Sequence, residues 1–383
     1  MNSPLSAKTE PLKIAMVGPS YPFKGGIAQY TTNLYRNLTA HHDVLFVSFK
    51  RQYPTWLYPG QGDRDLTDTA LQEFSGIPLI DSLNPLSWRR AVCEISKFKP
   101  ELVIFPWWVM FWAPQFIYMI RAIRHRRKSC RVLFICHNVT AHEPSYLSRK
   151  LARLTLAQGD GYLVHSKKDR HDLELMLGQP RVTQVEHPSY ELSDQRHCSR
   201  EQAQHQLDIS GKTLLFFGFL RPYKGLEVLL DAMPTILAEG QCTLVIAGEI
   251  WGDPQVYTEK IESLGITDHV RLVGEYIPQQ DVATYFQACD LVVLPYLSAT
   301  GSGVVKLAYS YNRPVVVSSV GSLPEAVLEG KTGYVVPAGN SAALANAIVT
   351  HLRREDRAVM EDTISTHVRQ FSWEPVIQAL EAL

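Results

Sequence analysis

The sequence alternates short apolar runs with stretches of helical period, and this alternation limits the fold more than any other feature. The first example starts at Lys13 with the apolar run KIAMV, followed by the Gly/Pro-rich loop GPSYPFKGG and the helix-period segment IAQYTTNLYRNL. A strand, a loop and a helix in this order form one unit of a parallel sheet. The sequence therefore predicts an α/β fold built on parallel sheets.

These units fall into two series, separated by a polar stretch from about Glu191 to Lys212 that is typical of a linker with one short helix. A chain of 383 residues is also too long for one ordinary hydrophobic core. We therefore expect two Rossmann-like parallel-sheet lobes. Their predicted strands are KIAMV, DVLFVSF, ELVIFP, RVLFICHN and GYLVHS in the first lobe, and TLLFFG, TLVIAG, VRLVG, LVVLP, PVVVS and YVVP in the second.

The predicted domain boundaries follow from this division. The first lobe covers residues 1–190, the linker 191–212 and the second lobe 213–365, and residues 366–383 contain a final amphipathic helix, FSWEPVIQALEAL. Open parallel sheets bind ligands at the carboxyl ends of their strands. The functional site is therefore expected in a central cleft between the two lobes, on the loops that follow strands.

Two second-lobe loops carry groups suited to a diphosphate. The loop from Gly218 to Gly225 places Arg221 and Lys224 at the start of a predicted helix, where cations and the helix dipole both favour anions. A solvated turn with two surface cations is the alternative. The second loop contains Thr300, Gly301, Ser302 and Gly303, whose backbone N–H groups and hydroxyls form another possible anion cradle, although Ser302 could simply cap the helix.

Two first-lobe loops are further candidates. Gly25-Gly26 precedes a helix and could admit a ligand close to the backbone, or form a purely structural turn, and its spacing does not match the GxGxxG motif of dinucleotide enzymes. His137-Asn138 and His142-Glu143 follow the strand RVLFIC. Imidazole, amide and carboxylate groups at a strand end suit the recognition of sugar hydroxyls. A structural histidine is the alternative.

An aromatic and basic segment lies between residues 107 and 128. An aromatic belt beside cations is typical of a protein that contacts an anionic membrane surface, whereas buried aromatics next to a solvated helix end would give the same pattern. The surrounding stretch 102–120 is interrupted by prolines and is predicted to be interfacial at most. The residues assigned to this acceptor or membrane patch are Trp107, Trp108, Trp112, Arg124, Arg126 and Arg127, within a run that also holds Phe111, Arg121, His125 and Lys128.

Composition excludes several classes of function. The 38 basic and 38 acidic residues leave no net charge to attract nucleic acid. The six cysteines form no CxxC pair, which predicts a reducing compartment and no zinc site. The first residues lack an apolar signal-peptide core, so a cytoplasmic location is expected. Asp63-Arg64-Asp65 lies in a polar loop and not at a strand end, so we predict no metal site and no cofactor.

At these residues the sequence resembles the retaining GT-B glycosyltransferases of family 4. The resemblance covers nearly the whole chain, and its second-lobe motifs are specific in combination. It implies two Rossmann-like lobes, a final helix that crosses back to the acceptor-side first lobe, and metal-independent transfer with retention at the anomeric carbon. The motifs include KIAMVGPSYPFKGGIAQY, CHNVTAHEP, LVHSKKDR, FFGFLRPYKGLEVLLDAM, ACDLVVLPY and NRPVVVSSVGSLPEAVLEGKTGYVVPAGN.

By position, the resemblance implies roles for several residues. Arg221 and Lys224 match the family's pyrophosphate-binding pair, Gly25-Gly26 its first-lobe glycine loop and His137 its donor-facing histidine. The family's Glu-x7-Glu pair is absent, because Ala299 and Leu307 occupy those positions. This matches a subgroup variant in which hydroxyls and backbone amides hold the donor. Glu325 also matches a family position, with either a donor-binding or a structural role.

The function predicted from the sequence is transfer of a hexose from a UDP- or GDP-sugar to a saccharide acceptor, expected to be lipid-linked, in surface polysaccharide biosynthesis. The expected location is cytoplasmic, with a possible peripheral position at the inner face of the plasma membrane. Two other readings stay open. One is a different enzyme on this architecture, such as a sugar-nucleotide epimerase or a phosphorylase. The other is a catalytically silent sugar-nucleotide-binding protein, which the missing carboxylates favour.

Overall fold

A computed structural model describes residues 10–54, 62–67, 69–139, 146–189 and 198–382. Within these residues the first lobe is a seven-stranded parallel sheet with the strand order β3-β2-β1-β4-β5-β6-β7. Strands such as β4 are buried along their whole length, as expected for a parallel sheet covered on both faces. The strands are β1 (Lys13–Val17), β2 (Asp43–Arg51), β3 (Ile77–Asp81), β4 (Leu102–Trp107), β5 (Arg131–Cys136), β6 (Gly161–Val164) and β7 (Val182–Gln184).

Helices cover this first sheet, and their starts follow local signals. For example, Asn84 accepts a hydrogen bond from the Leu86 amide at 3.0 Å, and Pro85 occupies the first helical position. The helices are α1 (Gly26–Thr39), α2 (Thr69–Gln72), α3 (Pro85–Phe98), α4 (Ala113–Arg126), α5 (Tyr146–Leu156) and α6 (Lys167–Leu177).

The second lobe has a six-stranded parallel sheet with the order β10-β9-β8-β11-β12-β13. The predicted two-lobe α/β class is therefore confirmed. The elements are α7 (Arg200–Gln206), β8 (Thr213–Phe217), α8 (Leu226–Glu239), β9 (Thr243–Ala247), α9 (Gln255–Ser263), β10 (Val270–Val273), α10 (Val282–Ala288), β11 (Leu291–Leu294), α11 (Gly303–Ser310), β12 (Val315–Ser318), β13 (Gly333–Val336), α12 (Ser341–Leu352) and α13 (Arg357–Val368).

A final helix, α14 (Glu374–Ala382), packs into the core of the first lobe. There Trp373 and Ile377 join Ile14 and Tyr30 in one buried cluster. The chain thus crosses between the lobes twice, and the crossings touch: the backbone N–H and hydroxyl of Ser189 both donate to the Phe371 carbonyl, at 2.7 and 3.0 Å. Residues 190–197 lie outside the described residues, and the domain boundaries at 190, 212 and 365 stay predictions.

Two strands were not predicted from the sequence, and their composition explains why. β3 has the sequence IPLID and includes a proline, and β7 contains only the three residues VTQ. Both are the outermost strands of the first sheet. Edge strands need fewer apolar residues than central ones, so their sequence signal is weak.

The predicted aromatic membrane surface is wrong for Trp107 and Trp112. The two side chains are 2% and 1% exposed and lie in the first-lobe core. Trp108 is half-buried, and its indole N–H donates to the Tyr53 hydroxyl at 3.3 Å. These tryptophans pack inward because β4 is covered on both faces and α4 folds back directly after it.

The basic part of the same predicted patch lies elsewhere. α4 has 14 residues and is therefore roughly 20 Å long. It begins next to the tryptophans and ends at the basic run, where Arg124 pairs with Asp160 at 2.7 Å and Arg126 is exposed. The aromatic and basic groups thus do not form one surface. No helix among the described residues combines the length and the apolar character needed to cross a membrane.

Candidate functional site

A cavity of about 400 Å³ lies in the cleft between the two lobes, where the carboxyl ends of both sheets meet. It receives residues from the loops after β1, β5, β8 and β11, as expected for open parallel sheets. Most residues predicted for the site line this one cavity. They are Gly25, Gly26, His137, Asn138, Gly218, Lys224, Thr300, Gly301, Ser302, Gly303 and Glu325.

Lys224 is the most strongly perturbed cation of the predicted diphosphate loop. Its side chain is buried, with 8% exposure, although it lines the cavity. Burial, followed by the nearby Arg221 charge, lowers the pKa of Lys224 to about 7. An incoming phosphate would offset this desolvation, so the amine is suited to an anionic ligand.

The loop that carries Lys224 depends on two glycines with positive φ. Gly218 has a φ of 96°, and a Cβ there would lie 3.1 Å from the Lys224 amine. Gly225 has a φ of 66°, and a Cβ there would lie 2.1 Å from the Pro295 carbonyl oxygen. A side chain at Gly225 would therefore push the start of α8 away from β11, and the position of Lys224 would change with it.

Arg221 takes a different position from the one predicted for it. Its guanidinium carbon lies 3.7 Å from the centre of the Trp251 ring, and Arg221 is not among the described residues that line the cavity. Its charge also lowers the pKa of Tyr53, although burial raises that pKa more. Arg221 therefore acts on Lys224 through its charge, while its predicted contact with a ligand stays a prediction.

The N-terminus of α11 forms the other wall of the predicted diphosphate site. Ser302 caps this helix by accepting a hydrogen bond from the Val304 amide at 3.3 Å, so the capping alternative is correct. The same residue lines the cavity. An N-terminal helix turn presents backbone N–H groups to an anion. Thr300, just before it, donates a hydrogen bond across the cleft to the Asn138 side-chain oxygen.

On the first-lobe side, three histidines surround Tyr30. The ring centres of His137, His165 and His187 lie 4.6, 5.3 and 5.3 Å from that of Tyr30. Burial lowers the pKa of His137 well below 6.5, that of His165 to about 4 and that of His187 to about 3. All three rings are therefore neutral at pH 7.

Hydrogen bonds determine the tautomer of His165. Its Nδ1 lies 3.0 Å from the Val185 carbonyl, which can only accept, so Nδ1 carries the proton. Nε2 then accepts from the Tyr30 hydroxyl at 3.0 Å. The Nε2 atom of His137 is buried and has no hydrogen-bond partner within the described chain. His137 therefore retains an unused polar atom beside the cavity, whereas His165 does not.

Sequence reasoning missed a set of direct contacts between the lobes at the cleft. Asp65 was considered only as a metal ligand, yet its carboxylate accepts from the Gln279 amide at 3.0 Å and the Tyr276 hydroxyl at 3.1 Å. Burial raises the pKa of Asp65, but hydrogen bonds from Thr67, Gln279 and Tyr276 together lower it below its ordinary value. In addition, Gln29 donates to Gln279 at 2.6 Å. A polar loop gave no signal that it would face the other lobe.

The two positions at which the resembled family carries carboxylates also lie at the cavity. Ala299 and Leu307 both line the cavity, so neither position supplies a charged group there. The residue just before Leu307 is Lys306, which lines the cavity as well and is buried. His142 and Glu143, which were predicted to lie near His137, fall outside the described residues. The described chain contains no group of three or more His, Cys, Asp or Glu side chains that could hold a metal ion.

One protein family matches the sequence of the second lobe. Residues 211–354 match the family described as "Glycosyl transferases group 1". The second lobe is therefore similar to the glycosyl transferases group 1 family, in agreement with the resemblance found in the sequence.

Among similar curated proteins, a D-inositol 3-phosphate glycosyltransferase of Corynebacterium glutamicum is 29% identical over 202 residues, which cover 51% of this chain and 48% of that protein. A phosphatidyl-myo-inositol mannosyltransferase of Mycobacterium leprae is 32% identical over 172 residues, covering 43% and 44%. The matches thus span about half the length of these relatives.

Solved structures with the same fold cover nearly the whole chain. The Anabaena protein HepE in complex with UDP-glucose superposes with a TM-score of 0.74 at 17% identity, covering 97% of this chain and 98% of HepE. Sucrose-phosphate synthase from Thermosynechococcus elongatus gives a TM-score of 0.70 at 18% identity, covering 97% and 98%. The GT-B fold expected from the sequence is therefore confirmed.

Proposed function

We propose that this protein is a retaining glycosyltransferase that moves a hexose from a UDP- or GDP-sugar to a saccharide acceptor. One observation carries the proposal: the buried amine of Lys224 and the N-terminus of α11 line the same cavity between the lobes. A buried cation and free helix N–H groups together favour a diphosphate. The similarity of the second lobe to glycosyl transferases group 1 supports the same reading.

In the proposed reaction the acceptor oxygen forms a bond to the anomeric carbon while the bond from that carbon to the diphosphate breaks. The acceptor proton passes to the departing phosphate oxygen, so no protein nucleophile is required. Lys224 and the α11 N-terminus would stabilise the negative charge on the leaving group without a metal ion. On the other wall, His137 and Asn138 would orient the sugar hydroxyls.

The proposed acceptor is a saccharide, lipid-linked at a membrane surface, and the proposed process is surface polysaccharide assembly in the cytoplasm. The support for a membrane contact is now limited to the basic end of α4, where Arg126 is exposed. Binding of vesicles that contain anionic lipid, compared with Arg126→Glu and Arg127→Glu variants, tests this part separately.

The donor site is tested by calorimetric titration with UDP and GDP in the presence of EDTA. We expect one of the nucleotides to bind, and we expect Lys224→Met to lower the affinity for that nucleotide by a factor of about 100 or more. Lys331→Met, which removes an exposed lysine outside the cavity, serves as the matched control. If neither nucleotide binds at millimolar concentration, or if Lys224→Met binds normally, the proposal is wrong.

A catalytically silent binding protein is the second candidate, because Ala299 and Leu307 leave two expected carboxylate positions uncharged. Turnover distinguishes the two. The active enzyme would release nucleotide from UDP-glucose or GDP-mannose, slowly to water and faster with an acceptor sugar. Tight nucleotide binding without any release would favour the silent protein.

A further inference from the structure

Lys306 is a second buried cation in the cleft, and the proposed donor chemistry does not use it. It lies on α11, is 4% exposed and lines the cavity. Its amine has no hydrogen-bond partner among the described residues. Leaving a buried ammonium group without hydrogen bonds is unfavourable. The three donors of this amine are therefore available to a ligand.

The groups around Lys306 do not replace a ligand. The nearest carboxylate oxygen belongs to Glu186, 4.0 Å away, which is too far for a hydrogen bond, and the Glu186 side chain is 53% exposed. The Phe371 ring centre lies 3.0 Å from the amine and offers a cation–π contact but no acceptor atom. Burial lowers the pKa values of His165, His187 and His367, and the charge of Lys306 lowers them further, so these imidazoles stay neutral.

This site is distinct from the proposed diphosphate site. Lys224 lies beside Gly218, with its amine 5.6 Å from the Tyr296 ring centre, and its pKa responds to Arg221. Lys306 instead faces Glu186 and Phe371, which belong to the two segments that connect the lobes. The two amines thus line one cavity but have different neighbours, those of Lys224 within the second lobe and those of Lys306 on the segments that connect the lobes.

The sequence strengthens this distinction. The resembled family carries carboxylates at two positions that are Ala299 and Leu307 in this chain. Lys306 comes directly before Leu307. Relative to that pattern, the cleft has lost two negative charges and holds a buried positive one. A change of this kind favours a substrate that brings additional negative charge.

We propose that Lys306 binds a second anionic group of the substrate, a carboxylate or a phosphate, separate from the donor diphosphate. The inference rests on the proposed function and specifies its substrate class. The group would be the carboxylate of a uronic acid in the donor, or a phosphate on the acceptor. In either case the anion pairs with the buried ammonium and accepts its hydrogen bonds.

The experiment compares matched ligands with and without the anionic group. In the donor arm, UDP-glucuronate and UDP-glucose are titrated against the unmodified protein, Lys306→Met and the surface control Lys331→Met. In the acceptor arm, glucose 1-phosphate and glucose are titrated in the presence of saturating UDP. Methionine has a similar length and is apolar, so it fits beside Phe371, and the melting temperature verifies that each variant is folded.

We expect the unmodified protein to prefer the anionic member of one pair by a factor of ten or more, and Lys306→Met to remove that preference. A preference in the donor arm identifies a carboxylate, and one in the acceptor arm identifies a phosphate. If Lys306→Met changes neither pair, Lys306 is a structural residue and the proposal is overturned. The affinity for UDP alone depends on Lys224, so failure of the proposed function is measured separately.

Discussion

The two walls of the cleft differ in how they hold their polar groups. On the first-lobe wall, His137, His165 and His187 are imidazoles that burial keeps neutral. On the second-lobe wall, Lys224 and Lys306 are amines whose pKa values burial lowers to about 7 and about 8. The first wall is therefore uncharged, with the His137 ring nitrogen left to suit a sugar hydroxyl, and the second offers positive charge, which suits phosphate. In the proposed function, this difference would separate recognition of the sugar from that of the diphosphate within one cavity.

The largest expected effect is a loss of stability confined to the first lobe. Trp373 is 4% exposed, and its ring centre lies 5.0 Å from that of Tyr30. We expect Trp373→Ala to lower the free energy of unfolding by about 3 to 5 kcal/mol, because a large cavity is left in the core. Hydrogen exchange should report lost protection in β1 and α1 but not in β8. Val359→Ala, at a site that is 64% exposed, is the control. Equal loss of protection in both lobes would contradict this expectation.

A single methyl group should disturb the second-lobe wall. We expect Gly225→Ala to cost about 1 to 3 kcal/mol of stability through backbone strain. It should also weaken nucleotide binding, because the new Cβ would meet the Pro295 carbonyl and displace Lys224. Gly240→Ala provides the matched control, since nothing lies within 4 Å of the added atom. Denaturant unfolding and UDP titration measure the two effects, and a variant that behaves like the control would show the loop to be tolerant.

Alkaline pH should weaken the second wall as an anion site. The pKa of Lys224 is about 7, below its ordinary 10.5, so the free protein loses this charge as the pH rises above 7. We expect the affinity for UDP to fall between pH 6.5 and 9. In Lys224→Met this pH dependence should be absent. An affinity that is constant with pH in the unmodified protein would show that the diphosphate does not depend on this amine.

Acid pH should lower the stability of the protein through the histidines of the first wall. His165 and His187 have folded pKa values of about 4 and about 3, whereas both titrate near 6.5 when unfolded. Between these values the unfolded chain binds more protons, so stability falls as the pH is lowered from 6.5 toward 4. We expect His187→Gln to make this fall shallower, as followed by chemical denaturation at several pH values. If stability depends on pH equally steeply in the variant, His187 does not cause the loss of stability in acid.

The smallest effect concerns the contact between the walls. Asp65→Asn removes a charge that accepts hydrogen bonds from Gln279 and Tyr276. Loss of about 1 kcal/mol of interaction between the lobes would weaken UDP binding by roughly fivefold, because these contacts hold the two walls of the site together. Asp63→Asn changes the neighbouring carboxylate, for which no such contact to the second lobe is present among the described residues, and should bind normally. Equal binding by both variants would show that the Asp65 contacts do not support nucleotide binding.

The fold and one wall of the site could be read from the sequence, because their signals are local. Apolar runs marked the central strands, and the glycines and cations after β8 marked the Lys224 loop. Lys306 could not be recognised in this way, since it occurs inside a helix and is buried by Glu186 and Phe371, which lie far away in the sequence. The prediction of a membrane surface at Trp107 and Trp112 was wrong for a related reason. An apolar side chain fits either a core or a membrane surface, and its neighbours in the fold decide which of the two it joins.

The packing of α14 in the first lobe has a consequence for synthesis on the ribosome. The sheet of the first lobe is translated first, but its core includes Trp373, Val376 and Leu380, which emerge only after the whole second lobe. During translation the second lobe can therefore complete its own core earlier than the first lobe can. The nascent first lobe leaves an apolar groove exposed in the meantime, which is a surface that chaperones bind.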